Sequence, residues 1–265
     1  IVLGLVIIGL LIKIAFLFLL LFAVGCQKKV TNSITNELDG INQVEYAKGF
    51  SIFKYDGYSI VKIINPWPNA TKQYTYILQE KNGIIPDSLK QFPIISIPLK
   101  SIVVTSTTHI PSLELLDVQN TLIGFPNTDY ISSEKTRKLI DAGKVREVGV
   151  NENLNTEVLI DMKPDLIVSF GINSSNPTLD NLQKSGLNIM LNGDWTEQSP
   201  LGKAEWIKFF GALYGLDSKA NAIFSTIEKE NKTTLELAKK ATTQPTVLSG
   251  AMYQEQWYVT KKKSW

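Results

Sequence analysis

Thr107, Thr108 and His109 stand in succession just beyond an apolar run, Ile102-Val103-Val104, that reads as a buried strand. The space beyond the carboxyl end of a strand is the ligand side of an open α/β sheet. Two hydroxyls and one imidazole there could hydrogen-bond a ligand or fill one axial position of a chelated metal. They could equally cap a helix opening at Ile110. Phe170 ends a second compact run, Asp165–Phe170, and with Gly171 and Asn173 just beyond it shares that geometry. Trp195, after Asn192-Gly193-Asp194, could stack on a planar ring system or pack inside the fold. Tyr253, Gln256 and Trp257, with Gln254 and Tyr258, make an amphipathic aromatic cluster suited either to anchoring a ligand or to packing. Ser106, Ser169 or Ser249 beside His109 would be the raw material of a nucleophile system. None of these serines lies in a G-x-S-x-G elbow, so covalent catalysis is not expected and the chain does not read as an enzyme.

Composition narrows the classes further. The chain has 265 residues, 27 Lys+Arg against 25 Asp+Glu, and a formal charge of +2. That balance gives no clustered basic face for nucleic acid. The single cysteine excludes an internal disulfide and a four-cysteine metal site, and the single histidine excludes a two-histidine zinc motif.

The cysteine has a telling place. Residues 1–25 are apolar except for Lys13, and the eleven residues Ile14–Val24 run uninterrupted up to Gly25-Cys26. That is the length of a signal-peptide core rather than of a full bilayer span. Ala23-Val24-Gly25-Cys26 resembles the bacterial lipoprotein cleavage box, which implies cleavage before Cys26 and lipid on its sulfur. The alternative is an uncleaved anchor that tolerates Lys13 at a cost of about 2.5–3.5 kcal/mol. Either reading places the folded part outside the cytoplasm, tethered to the membrane in the cell envelope.

The elements that must position these residues follow from patterning. Val30–Gly40 is polar and reads as a tether. Phe50–Tyr55 and Tyr58–Ile63 flank Asp56-Gly57 as a hairpin, and Lys72–Gln79 is a third strand. From Ser101 strands and short helices alternate: strands at Ser101–Thr105, Leu122–Gly124, Asp165–Phe170 and Leu187–Leu191, helices at Ile110–Asp117, Ser132–Asp141, Asn155–Met162 and Pro177–Lys184. Such alternation predicts a parallel-sheet α/β lobe. Pro200–Lys240 reads as one long, bent helical region, stopped by Pro245, with a new strand at Thr246–Ser249. The expected organisation is 1–25 signal peptide, 26–48 lipidated cysteine and tether, 49–97 β-rich extension, 98–198 α/β lobe, 199–243 connecting helical region and 244–265 the start of another lobe.

This order resembles bacterial ABC-transporter substrate-binding proteins of the cobalamin and ferric-siderophore class. The match rests on Ser101–His109, on Val148-Gly149-Val150, Asn153 and Glu157, on Met162-Lys163-Pro164-Asp165-Leu166-Ile167-Val168, and on the helical region Pro200–Lys240. The resemblance covers about 98–265 and leaves 40–97 as an extension. It implies two Rossmann-like parallel-sheet lobes joined by a long helix, with the second lobe largely absent from this chain. It implies no cofactor, but a bound metal chelate (cobalamin, ferric siderophore or haem) held by a monomer. The implied partners are a permease dimer with its ATPase subunits, and Glu157 docks with the permease. Glu157 also suits simple stabilisation of a helix N-terminus, and Glu152 is its local competitor. Lys163-Pro164-Asp165 identifies the fold and shapes a turn. The same fold could instead serve a lipoprotein receptor, or a signalling or adhesion module.

Overall fold

Alternating apolar residues in Phe50–Tyr55 (β1) and Tyr58–Ile63 (β2) bury Phe50, Ile52, Ile60 and Ile63 around the Asp56-Gly57 turn. Gly57 takes φ 75°, the left-handed region that costs glycine least. β2 pairs antiparallel with β1 in the register Phe50↔Ile63 and with Tyr74–Gln79 (β3) in the register Tyr58↔Gln79. A short strand, Ile94–Ser96 (β4), adds parallel to β3 and completes a four-stranded sheet. This last strand has three residues, too few for alternation to reveal it.

In this computed structural model the described residues are 40–151, 153–171, 176–243, 245–246 and 248–259, with Tyr253 by its backbone alone. The apolar run before Cys26, Cys26 itself, the tether up to Asp39, Glu152, Asn173 and residues 260–265 lie outside them.

The predicted alternation builds a parallel sheet. Ile102–Val104 (β5), Leu122–Phe125 (β6), Arg146–Glu147 (β7), Leu166–Phe170 (β10) and Ile189–Asn192 (β11) lie in the order β11-β10-β5-β6-β7. Gly149–Val150 (β8) and Asn153–Leu154 (β9) form a separate small hairpin before β10. The crossovers are Ile110–Leu115 (α1), Glu134–Asp141 (α2), Thr156–Met162 (α3) and Pro177–Lys184 (α4). Their starts are set by side-chain caps: Ser133 for α2, Asn155 for α3 and Asn176 for α4. Lys163 closes α3 with φ 47°, and Pro164 prevents its continuation. Asp165 then accepts the N–H groups of Lys100 and Ser101 at 2.7 and 3.0 Å, while its own N–H donates to Ser101 Oγ at 3.0 Å. The turn motif therefore locks the starts of β5 and β10 together.

The region expected to be one bent helix is three: Pro200–Glu205 (α5), Ile207–Leu213 (α6) and Asp217–Lys239 (α7). Gly215 explains the main break, because its φ of 65° turns the chain at the end of α6. α7 folds back so closely that a Cβ on Gly211 would lie 2.5 Å from Ala220 Cβ. The strand expected at Thr246–Ser249 begins instead at Gly250, where Gly250–Tyr253 (β12) pairs antiparallel with Gln256–Val259 (β13). One apolar core runs through both larger sheets and α6. Phe50 of β1 packs on Trp206 at 4.3 Å and on Phe209 at 6.3 Å, which joins the extension to the helices.

Candidate functional site

The strand order defines where a ligand can sit. From β5 the chain passes through α1 to β6 on one side, and later returns to β10 on the other. Beyond the carboxyl ends of β5 and β10 the connections diverge and leave a crevice, the usual binding place in an open α/β sheet. Thr105 and Ser169 face each other there. Thr105 Oγ1 lies 3.4 Å from Ser169 Oγ and accepts the N–H of Phe170 at 3.3 Å. A cavity of about 560 Å³ opens from this point, with Thr105, Ser169, Phe170 and Gly171 on its sheet side. That volume suits a small-molecule ligand.

The extension supplies the opposite wall, with Trp67, Tyr74, Tyr76 and Phe92. Two glycines make room for it. A Cβ on Gly171 would lie 2.7 Å from Trp67 Cε3, and one on Gly193 would lie 2.4 Å from the carbonyl oxygen of Asn65. The Tyr76 hydroxyl accepts the N–H of Leu191 in β11 at 3.2 Å. Burial pushes the pKa of this phenol upward, against the opposing effect of that N–H, so it stays protonated. Sequence reasoning missed this wall because the extension and the lobe read as separate tracts. The paired glycines at the ends of β10 and β11 were the available signal.

The predicted residues fall into distinct places. Phe170 and Gly171 line the crevice, and Gly171 is covered by Trp67. Thr107 and Thr108 are exposed in a single helical turn, where Ser106 Oγ accepts the Thr108 N–H at 3.3 Å and acts as the cap. His109 turns inward instead. Its side chain is 0% exposed and packs on Phe210 with ring centroids 5.5 Å apart. Burial lowers its pKa, with the nearby Asp194 carboxylate pulling the other way. Among the described residues, no serine hydroxyl is hydrogen-bonded to either ring nitrogen.

Thr108 and Trp195, the latter 40% exposed, border a second cavity of about 520 Å³ with Leu115, Ile207 and Ile227. Gln256 and Trp257 lie on the exposed hairpin, where Trp257 is 65% exposed, and Tyr253 pairs through its backbone with Gln256. Glu157 is exposed in the first turn of α3, whose cap is the Asn155 side chain accepting the Val158 N–H at 3.1 Å. Among the described residues there is no group of three or more His, Cys, Asp or Glu side chains that could hold a metal ion. No helix among them is long and apolar enough to cross a membrane.

Comparison with known proteins adds context. The profile of the periplasmic binding protein family matches residues 102–265. An uncharacterized lipoprotein of Methanocaldococcus jannaschii is 25% identical over 261 residues, covering 90% of this chain and 62% of its own. A second uncharacterized lipoprotein from that organism is 27% identical over 218 residues, covering 79% of this chain and 53% of its own. The chain thus spans between about half and two thirds of the length of these relatives. Among solved structures, the petrobactin-binding protein YclQ of Bacillus subtilis superposes with a TM-score of 0.50 at 15% identity, over 64% of this chain and 56% of its own. At that identity the likeness is one of fold.

Proposed function

Because the chain belongs to the periplasmic binding protein family, we propose that it is the extracytoplasmic solute-binding component of an ABC-type importer. It captures a metal chelate (cobalamin, a ferric siderophore or haem) and hands it to a permease dimer powered by separate ATPase subunits. Members of this family characteristically bind and deliver solutes and do not transform them. The observation that carries the reading is the cavity of about 560 Å³ at the divergence of β5 and β10. Its position is the one that open α/β sheets use for ligands. Lipid on Cys26 would hold the protein at the outer side of the membrane, a reading supported by the two relatives named as lipoproteins. Exposed Glu157, freed from capping by Asn155, is the docking carboxylate for the permease. The family architecture completes the site with a second α/β lobe, to which the β12–β13 hairpin would contribute Tyr253, Gln256 and Trp257. Thr107, Thr108 and Trp195 border the cleft between the lobes. His109 supports this region from within.

Native mass spectrometry of the protein after exposure to cobalamin, haem and ferric siderophores tests the reading. One retained chelate, lost when Thr178→Trp fills the crevice, is the expected result. Retention of none of them would remove this ligand class.

A further inference from the structure

The wall formed by the extension lies outside the residues matched to the family, and its chemistry is specific. Tyr74 and Phe92 are half-buried, with part of each ring available to the cavity. Trp67 stands edge-on to Tyr74, with ring centroids 6.0 Å apart at 71°. With Tyr76 also in this wall, Phe170 adds a fifth ring from the sheet side. Among the described residues of the lining, Lys72 and Asp180 are the charged ones, and they are opposite in sign. The Lys72 ammonium is itself engaged, 4.8 Å above the centre of the Tyr74 ring. The remaining polar groups are neutral amides and hydroxyls, such as Asn151, Asn176 and Gln183. Such a cavity has no arginine fork and no surplus of positive charge to replace the hydration of a multiply charged anion. It offers aromatic faces and uncharged hydrogen-bonding edges.

We infer that the extension is a specificity element that makes the crevice select, within the chelate class proposed above, for a ligand that presents a flat, conjugated ring of near-zero net charge, the part of the ligand that lumichrome stands in for below. The inference rests on the crevice being the ligand site. Tyr74 and Phe92 contribute by packing against the ligand ring, and Lys72 and Asp180 leave the local field balanced. A strongly anionic chelate of the same size is disfavoured.

Three probes separate shape from charge when titrated against the whole chain by fluorescence and calorimetry. Lumichrome is flat, aromatic and uncharged, the ferric tris(catecholate) complex is a trianion, and ferric tris(acetohydroxamate) is uncharged without an aromatic ring. Lumichrome is expected to bind tightest. Tyr74→Ala and Phe92→Ala are each expected to weaken it about five- to tenfold, in line with the loss of one aromatic contact. Glu80→Ala, on the same extension outside the lining, serves as the unchanged control. Thermal unfolding of each variant verifies that it is folded, and the two ring variants report independently.

The inference is overturned if lumichrome does not bind, or if either metal complex binds as tightly. Unchanged affinity in folded Tyr74→Ala and Phe92→Ala overturns it as well. Thr178→Trp, from the lobe side, distinguishes this failure from failure of the underlying reading. Loss of lumichrome binding in Thr178→Trp with no effect of the ring variants leaves the crevice as the site and removes the extension's role. Undiminished binding in Thr178→Trp removes the crevice itself.

Discussion

Glu205 Oε2 accepts the backbone N–H of Tyr46 at 2.7 Å, across 159 residues of chain. The same carboxylate takes the N–H groups of Glu45 at 2.9 Å and Ala47 at 2.8 Å, and Lys208 lies 2.7 Å away. Glu197 continues the series. It receives the N–H groups of Lys48 and Gly49, and Trp206 Nε1 at 3.2 Å. Two buried carboxylates at the start of the helical region thus hold five successive amides, from Glu45 to Gly49, ahead of β1. Hydrogen bonds to a charged acceptor are among the stronger ones, and leaving their donors buried without a partner is costly.

Glu205→Ala is therefore expected to lower stability by about 3 kcal/mol, because it leaves three amides without their acceptor and leaves the Lys208 ammonium only the Gln43 carbonyl and the Phe224 ring. Urea unfolding reads this directly. Glu236→Ala, which removes an exposed pair with Lys239, serves as the comparison. Its expected effect is about 0–1 kcal/mol. Similar midpoints for the two variants would show that the clasp contributes little.

Gly171→Ala should destabilise by about 1–3 kcal/mol, the usual range for forcing a methyl into a packed site. The added methyl meets the Trp67 ring, while the backbone at Gly171 needs no left-handed conformation. Trp67→Leu in the same chain should recover part of the loss. A double variant no more stable than Gly171→Ala alone would place the strain elsewhere.

His109 predicts a pH dependence with a definite sign. Its folded-state pKa lies below the ordinary value, whereas the unfolded imidazole titrates near about 6.5. Above that pH both states are neutral and no penalty exists. As pH falls through it, the unfolded chain gains a proton that the folded chain refuses, and stability drops. Urea midpoints at pH 8 and pH 5.5 should diverge for the natural chain and approach one another for His109→Gln. An unchanged gap in the variant would assign the dependence to other groups.

Glu157→Lys tests docking apart from capture. Uptake through a reconstituted permease should fall about tenfold, since rim charges act mainly on encounter and orientation. Ligand affinity should remain within about twofold, because α3 keeps its Asn155 cap and Glu157 is not in the cavity lining. A parallel loss of affinity would reject a role confined to docking.

Local chemistry made much of the fold legible. The Asp56-Gly57 hairpin, the capping residues Ser133 and Asn155, and the buried run at Leu166–Phe170 are each signalled by neighbours in the chain. The divergence point between β5 and β10 needs the strand order, which alternation alone does not give. The clasp at Glu197 and Glu205 has no such signal, because the backbone amides it holds lie between 148 and 160 residues away. The inward turn of His109 likewise depends on Phe210, which belongs to a distant helix. The aromatic wall of the crevice depends on Trp67 and Tyr76 meeting Gly171 and Leu191 across the same kind of distance. Residue types could nominate Phe170, but only the packing shows what faces it.

The hydrogen bond from Leu191 to Tyr76 also bears on self-association. β11 is an outer strand of the parallel sheet, and the opposite outer strand, β7, is only two residues long. An open outer strand can recruit a strand from another molecule. At Leu191 the tyrosine hydroxyl occupies the position that an incoming carbonyl would need. The extension thereby fills one position that an added strand would need, and a lobe stripped of it would present that N–H unpaired.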